Sequence, residues 1–214
     1  AVYADLGLWR RCRLHRRAGL ALEKLRPGDS NALAWHYEQA GEPGKAAAYL
    51  LKAGQAVRQI FAHREALLCF DRALALAPGS ASGHYDRLLA LRKLGRQQEA
   101  RAGIERFTRE FPRDARGWSL LGQSRAEGGD FEAAHAALQR AVDLDPSTAV
   151  YWNNLGVTLA RLDRNAEAGQ AFARVYALDS TFPDAAYSTA AAYSQAGEMQ
   201  KAAEWVVTCL DRRL

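Results

Sequence analysis

Three prolines, Pro78, Pro112 and Pro146, stand 34 residues apart, and the residues between them keep one register. A repeat of that length holds a helix, a turn and a second helix, and one such hairpin cannot bury its apolar face alone. The copies must therefore stack on their neighbours. Starting the units at 47, 81, 115, 149 and 183 puts the prolines at position 32 and alanine at every position 20: Ala66, Ala100, Ala134, Ala168 and Ala202. Position 8 reads Gly54, Leu88, Gly122, Gly156 and Ala190, and position 24 reads Phe70, Ile104, Leu138, Phe172 and Val206. Small residues at 8 and 20 let two helices approach closely, and the larger residue at 24 fills the space beside them.

Position 4 carries Trp118 and Trp152, position 7 carries Leu121 and Leu155, and position 17 carries Phe131. With these, the stretches WSLLGQSRAEGGDFEAAHAALQRAVDLDP and WNNLGVTLARLDRNAEAGQAFARVYALDS resemble the tetratricopeptide repeat (TPR) consensus. The resemblance implies an all-α fold, a right-handed superhelical solenoid of helix-turn-helix hairpins with about twelve helices in all. Departures are expected to matter. His84, Arg87 and Leu88 replace an aromatic, an aliphatic and a glycine, which predicts looser packing of that first helix. Ser180 replaces the proline, the last unit stops at Leu214, and the chain starts at Ala1, so a domain of a longer protein is expected.

Residues 1–46 fall outside the register and read as an irregular helical hairpin region, with 47–214 as the five units. Leu8, Cys12, Ala18, Leu22 and Leu25 lie near one face of a first helix, which RPGDS ends before Asp29 or Ser30 caps the next. That second helix ends at Gly41, and a third begins near Gly44. Residues 1–27 hold Arg10, Arg11, Arg13, Arg16, Arg17, Lys24 and Arg26 against Asp5 and Glu23, a net of +5 that equals the formal charge of the chain. Such a helix suits nucleic acid, an acidic surface or an acidic protein, although among the basic residues 8–27 Trp9 stands alone as an aromatic for base stacking. Residues 3–77 resemble the helical region that follows the ATPase module in bacterial signal-transduction regulators of the STAND class. That resemblance implies a sensor or docking arm.

Composition excludes several classes. No apolar run approaches the length of a membrane span, and no secretory signal opens the chain, so a cytoplasmic protein with no membrane partner is expected. Cys12, Cys69 and Cys209 are widely spaced, and His15, His36, His63, His84 and His135 fall on different hairpins, which predicts neither a disulfide framework nor a metal site. No phosphate-binding loop or H-E-x-x-H helix occurs. The expectation is a chain without enzymatic activity or cofactor.

In TPR proteins the first helices build a concave wall, and carrying those positions over gives a candidate peptide-binding groove. Its residues are Lys52, Gln55, Arg58, Tyr85, Leu89, Arg92, Arg116, Ser119, Gln123, Asn153, Asn154, Val157, Arg161 and Tyr187, with Lys93 alongside. The set is basic toward the N-terminus and amide-rich toward the C-terminus, and asparagine and glutamine amides suit the donors and acceptors of an extended backbone. Around Asn154 the cations that clamp a C-terminal carboxylate in some family members are missing: Ser119 and Gln123 precede it, and Asp184 and Ser188 follow. The sequence thus predicts a non-catalytic protein–protein interaction scaffold, the sensor or docking region of a larger bacterial regulator. The alternative is an accessory segment of an enzyme whose catalytic domain lies elsewhere. The expected partner is a protein or peptide rather than nucleic acid, with a second copy or further domain at the C-terminal end. There Ala202, Val206 and Cys209 are expected to pack on their own hairpin and Trp205 and Val207 to be exposed.

Overall fold

The computed structural model describes residues 7–182 and 184–211, where twelve α-helices and no strand are found. The opening residues with Asp5, Pro183 as the start of the fifth unit, and the closing 212–214 lie outside the described residues. The helices are α1 (Leu8–Leu25), α2 (Ser30–Gln39), α3 (Pro43–Gln59), α4 (His63–Leu76), α5 (Ala81–Lys93), α6 (Gln97–Glu110), α7 (Ala115–Glu127), α8 (Phe131–Leu144), α9 (Ala149–Arg161), α10 (Asn165–Leu178), α11 (Ala185–Gln195) and α12 (Met199–Asp211). They form two compact bodies, residues 1–103 and 104–214.

In the N-terminal body each helix from α1 to α5 packs on the next. Leu33, Tyr37 and Ala46 are buried with Leu22, Tyr49 and Leu76 packed against them, beside a second cluster of Ala34, Ala47, Leu50 and Ala73. Asp29, rather than Ser30, caps α2, its carboxylate accepting from the Ala32 N–H at 3.2 Å. In the C-terminal body each helix from α7 to α11 packs on the next, and Leu138, Val142, Leu155, Leu159 and Phe172 belong to one buried cluster.

The paired helices touch where the small residues stand. A Cβ on Gly54 would lie 2.5 Å from Phe70 and one on Gly156 2.8 Å from Phe172, while one on Gly122 would overlap Leu138. All five position-20 alanines are buried. The looser packing expected at Leu88 is not found: Leu88, Ala90 and Leu91 are buried. The reason is an exchange of sizes, because Gly103 on the partner helix leaves room for Leu88, and a Cβ there would lie 2.5 Å from it. His84 likewise does what the tryptophans do. Its Nε2 lies 2.8 Å from the Pro78 carbonyl, as the indole N–H groups of Trp118 and Trp152 donate to Pro112 and Pro146 at 2.9 Å.

Each hairpin turn has the same backbone. Residues 61, 95, 129, 163 and 197 all have positive φ, and the following N–H reaches back five residues, as from Asp130 to Arg125 and from Ala62 to Val57. This is the Schellman ending, which calls for a left-handed residue after the helix. Glycine fills it three times, Asp163 once, and Phe61, 83% exposed, once with φ of 63°.

At the C-terminal end Val206 does not pack as expected. It is 48% exposed, beside exposed Val207 and Leu210, whereas Trp205 is half-buried with its ring 5.2 Å from that of Tyr176. No described helix follows α12 to cover the outer side of Val206.

Two stability outcomes follow. Ala134→Leu should cost roughly 1–3 kcal/mol by overpacking the α7–α8 contact, while Ala126→Leu, half-buried on α7, should cost much less. Thermal melts giving equal losses would contradict the assigned register. Phe61→Gly should stabilise by about 1 kcal/mol, since it relieves a bulky residue in left-handed backbone and removes little packing. A lower melting temperature in that variant would show that the Phe61 ring carries packing energy.

Candidate protein-binding face

The candidate residues fall in both bodies. In the N-terminal body, α3 and α5 supply Lys52, Gln55, Arg58, Tyr85, Leu89 and Arg92. The cationic patch expected from the sequence is largely committed inside the fold. Asp86 on α5 is 5% exposed, accepts from Gln55 Nε2 at 2.7 Å, and has Arg58 at 3.3 Å. A buried carboxylate needs such partners, so Gln55 and Arg58 hold α3 to α5 before they can hold anything else. Tyr85 and Arg92 are also engaged, and Lys52 lies over the Tyr49 ring at 5.0 Å. Exposed Lys93 ends α5.

The C-terminal body is different. Gln123, Ala126 and Glu127 recur at helical spacing on α7, and Asn154, Val157 and Thr158 recur with the same spacing on α9, so each triplet shares a helix face. Together with Leu138 of α8 they line an open pocket of about 200 Å³. Thr158 is buried and its hydroxyl donates to the Asn154 carbonyl at 2.9 Å, which leaves the Asn154 side chain as the polar group of the α9 wall. Its Nδ2 is shielded from water and has no hydrogen-bond partner. An unmade donor of this kind costs about 1–3 kcal/mol, so turning this side chain to offer its amide to an acceptor in the pocket is favoured.

Of the residues expected in this body, Gln123, Asn154 and Val157 come together in the pocket. Ser119 does not reach an open surface: it is 4% exposed, and its hydroxyl oxygen accepts from Gln123 Nε2 at 3.4 Å. Arg116 is tied to Asp114 at the start of α7 by two bonds, at 2.9 and 2.6 Å. Asn153 is half-buried, and Arg161 and Tyr187 are exposed, all three outside the pocket lining. The sequence reading missed Glu127, Thr158 and the Leu138 floor. Glu127 occupies the same repeat position as Lys93 and was open to the same inference. Leu138 was visible only as core.

The N-terminal basic helix carries its own network. Arg16 pairs with Glu42 at 2.8 Å, and Arg13 lies over Trp9 at 4.6 Å. Contrary to the expectation that the histidines stand on different hairpins, α1 packs on α2 and buried His15 has its Nδ1 3.1 Å from that of His36, with Trp35 edge-on to both rings. Burial, and then the charge of His36, push the His15 imidazole below the ordinary histidine range. The Tyr49 hydroxyl donates to Glu23 at 2.7 Å, which holds that carboxyl below its usual range and pushes Tyr49 up to about 12. Among the described residues no three His, Cys, Asp or Glu side chains gather to hold a metal, and no helix is long and apolar enough to cross a membrane.

Because folding depresses the His15 value, its stabilising contribution is complete above the unfolded value of about 6.5 and is lost as pH falls below it. The melting temperature should therefore drop between pH 7.5 and 5.5, and His15→Phe should flatten part of that slope. An unchanged slope would place the pH sensitivity elsewhere.

Comparison with known proteins supplies relatives for this arrangement. The family model described as tetratricopeptide repeat matches residues 63–115, 85–134 and 119–183, together more than half of the chain. The chain is 33% identical over 81 residues to a peroxisomal targeting signal receptor of Candida glabrata, covering 38% of this chain and 14% of that protein. It is 26% identical over 147 residues to the mitochondrial import receptor subunit TOM70 of Homo sapiens, covering 64% of this chain and 24% of TOM70. It thus spans only a small part of the curated relatives it matches. Among solved structures, MamA superposes with a TM-score of 0.65 at 20% identity, over 80% of this chain and 92% of MamA. YrrB, described as a TPR protein with an unusual peptide-binding site, gives 0.61 at 24%, over 77% and 85%. Pseudomonas aeruginosa pilF gives 0.67 at 21%, over 76% and 74%. At these identities the structures speak to the fold alone, an all-α helical repeat.

Proposed function

Since the chain belongs to the tetratricopeptide repeat family, whose members mediate protein–protein interaction, we propose that it is a non-catalytic scaffold whose α7–α9 face holds an extended segment of a partner protein. The observation that carries this is the unpartnered Nδ2 of Asn154, a side chain that lines an open, partly apolar pocket. Interaction surfaces pair a few placed polar groups with apolar contact in this way. The receptor names of the relatives agree with a binding role. The likeness of residues 3–77 to the helical arm of STAND-class regulators supports a setting in the docking or sensor region of a larger, cytoplasmic bacterial regulator. The exposed Val206, Val207 and Leu210 on α12 suit a second copy or a further domain at that end.

A second reading, an accessory segment of an enzyme, is favoured by one relative. A protein O-mannosyl-transferase of Caenorhabditis elegans is 33% identical over 69 residues, which cover 32% of this chain and 10% of the transferase.

Selection from a displayed library of linear peptides tests the binding role. Asn154→Leu should weaken a selected peptide about tenfold, the worth of one well-made hydrogen bond. Arg140→Glu, exposed on α8, should leave binding unchanged. The reverse pattern, or a library that yields no binder, would contradict the proposal.

A further inference from the structure

The chemistry of the α7–α9 pocket restricts what its partner presents, an argument that rests on the binding role just proposed. Its lining is Gln123, Ala126, Glu127, Leu138, Asn154, Val157 and Thr158. No lysine, arginine or histidine is among them, and the one ionisable group is the Glu127 carboxylate. An anion entering this pocket would lose its water and meet no cationic side chain in the lining. Leu138 at the floor and Ala126 and Val157 on the walls offer carbon atoms, with space of about 200 Å³ above them. Two groups can meet a backbone there: Gln123, already donating to Ser119, and Asn154, whose nitrogen has no partner.

We infer that the pocket takes a neutral aliphatic side chain of leucine or isoleucine size from the interior of a partner segment, with the Asn154 side chain turning to bring its amide N–H to the backbone carbonyl beside it. The recognised element is an internal peptide unit rather than a C-terminal carboxylate. Ala126 sets the size limit, since a longer side chain at that position would occupy the space itself. Val157, 48% exposed, forms the opposite wall, and its apolar surface is covered when the site is filled.

Minimal probes test this directly. N-acetyl-leucine N-methylamide carries the proposed side chain between two peptide groups, and at about 0.3 kcal/mol per non-hydrogen atom it should bind in roughly the millimolar range. Titrated into the 15N-labelled chain, it should give saturable shifts at the Asn154 side-chain amide and at the Ala126 and Val157 backbone. Ala126→Leu should weaken it about tenfold or more, as should the isosteric Asn154→Asp, with thermal melts confirming that each variant is folded. N-acetyl-leucine with a free carboxylate should also bind about tenfold more weakly than the methylamide. The inference is overturned if the free acid or N-acetyl-lysine N-methylamide binds as well, if Ala126→Leu has no effect, or if the leucine probe gives no saturable shift. Library-selected peptides separate this failure from that of the broader reading. A peptide that Asn154→Leu weakens but Ala126→Leu does not would leave the binding role standing and remove the aliphatic pocket.

Discussion

Everything else in this molecule depends on how closely the two helices of a hairpin approach. Where Gly54, Gly122 and Gly156 face Phe70, Leu138 and Phe172, a single added methyl group would collide with the partner side chain. That contact fixes both spacing and register, because a helix rotated by one residue would present a larger side chain to the same place. Once register is fixed, the opposite face of the first helix is fixed too. The pocket residues of α7 and α9 are therefore placed by the glycines and alanines of the hairpin contact.

The contact tolerates a change of residue provided that summed size is kept. Leu88 stands where glycine is expected, and Gly103 across from it yields the volume. His84 stands where tryptophan is expected and still meets the proline carbonyl six residues earlier. Both substitutions read from sequence as weaknesses because position-by-position comparison sees one side of a contact. The period, the twelve helices, the small-residue rows and the buried alanines were legible, since each follows from spacing along the chain. The Asp86 node was not, because it joins Gln55 and Arg58 to a residue about thirty positions away whose burial no local pattern announces. For the same reason the N-terminal cations looked available and are partly spent on the fold.

The candidate face shows the same division. Gln123, Asn154 and Val157 could be placed on one surface from repeat positions alone. Their environment could not: Ser119 is buried, Arg116 is bonded to Asp114, and Leu138 serves as both core and pocket floor. The proposed site has two amides, the Glu127 carboxylate and no cation in its lining. Amides can orient a backbone without demanding charge from it, and in the proposal the apolar walls discriminate between side chains.

Hydrogen–deuterium exchange with a library-selected peptide at saturation tests the central claim most directly, because it reads binding residue by residue without altering the chain. The account predicts added protection concentrated in α7 and α9, with the outer side of α8 and α10 little changed. Protection confined to α8, α10 or α12, with α7 and α9 exchanging as in the free chain, would contradict it.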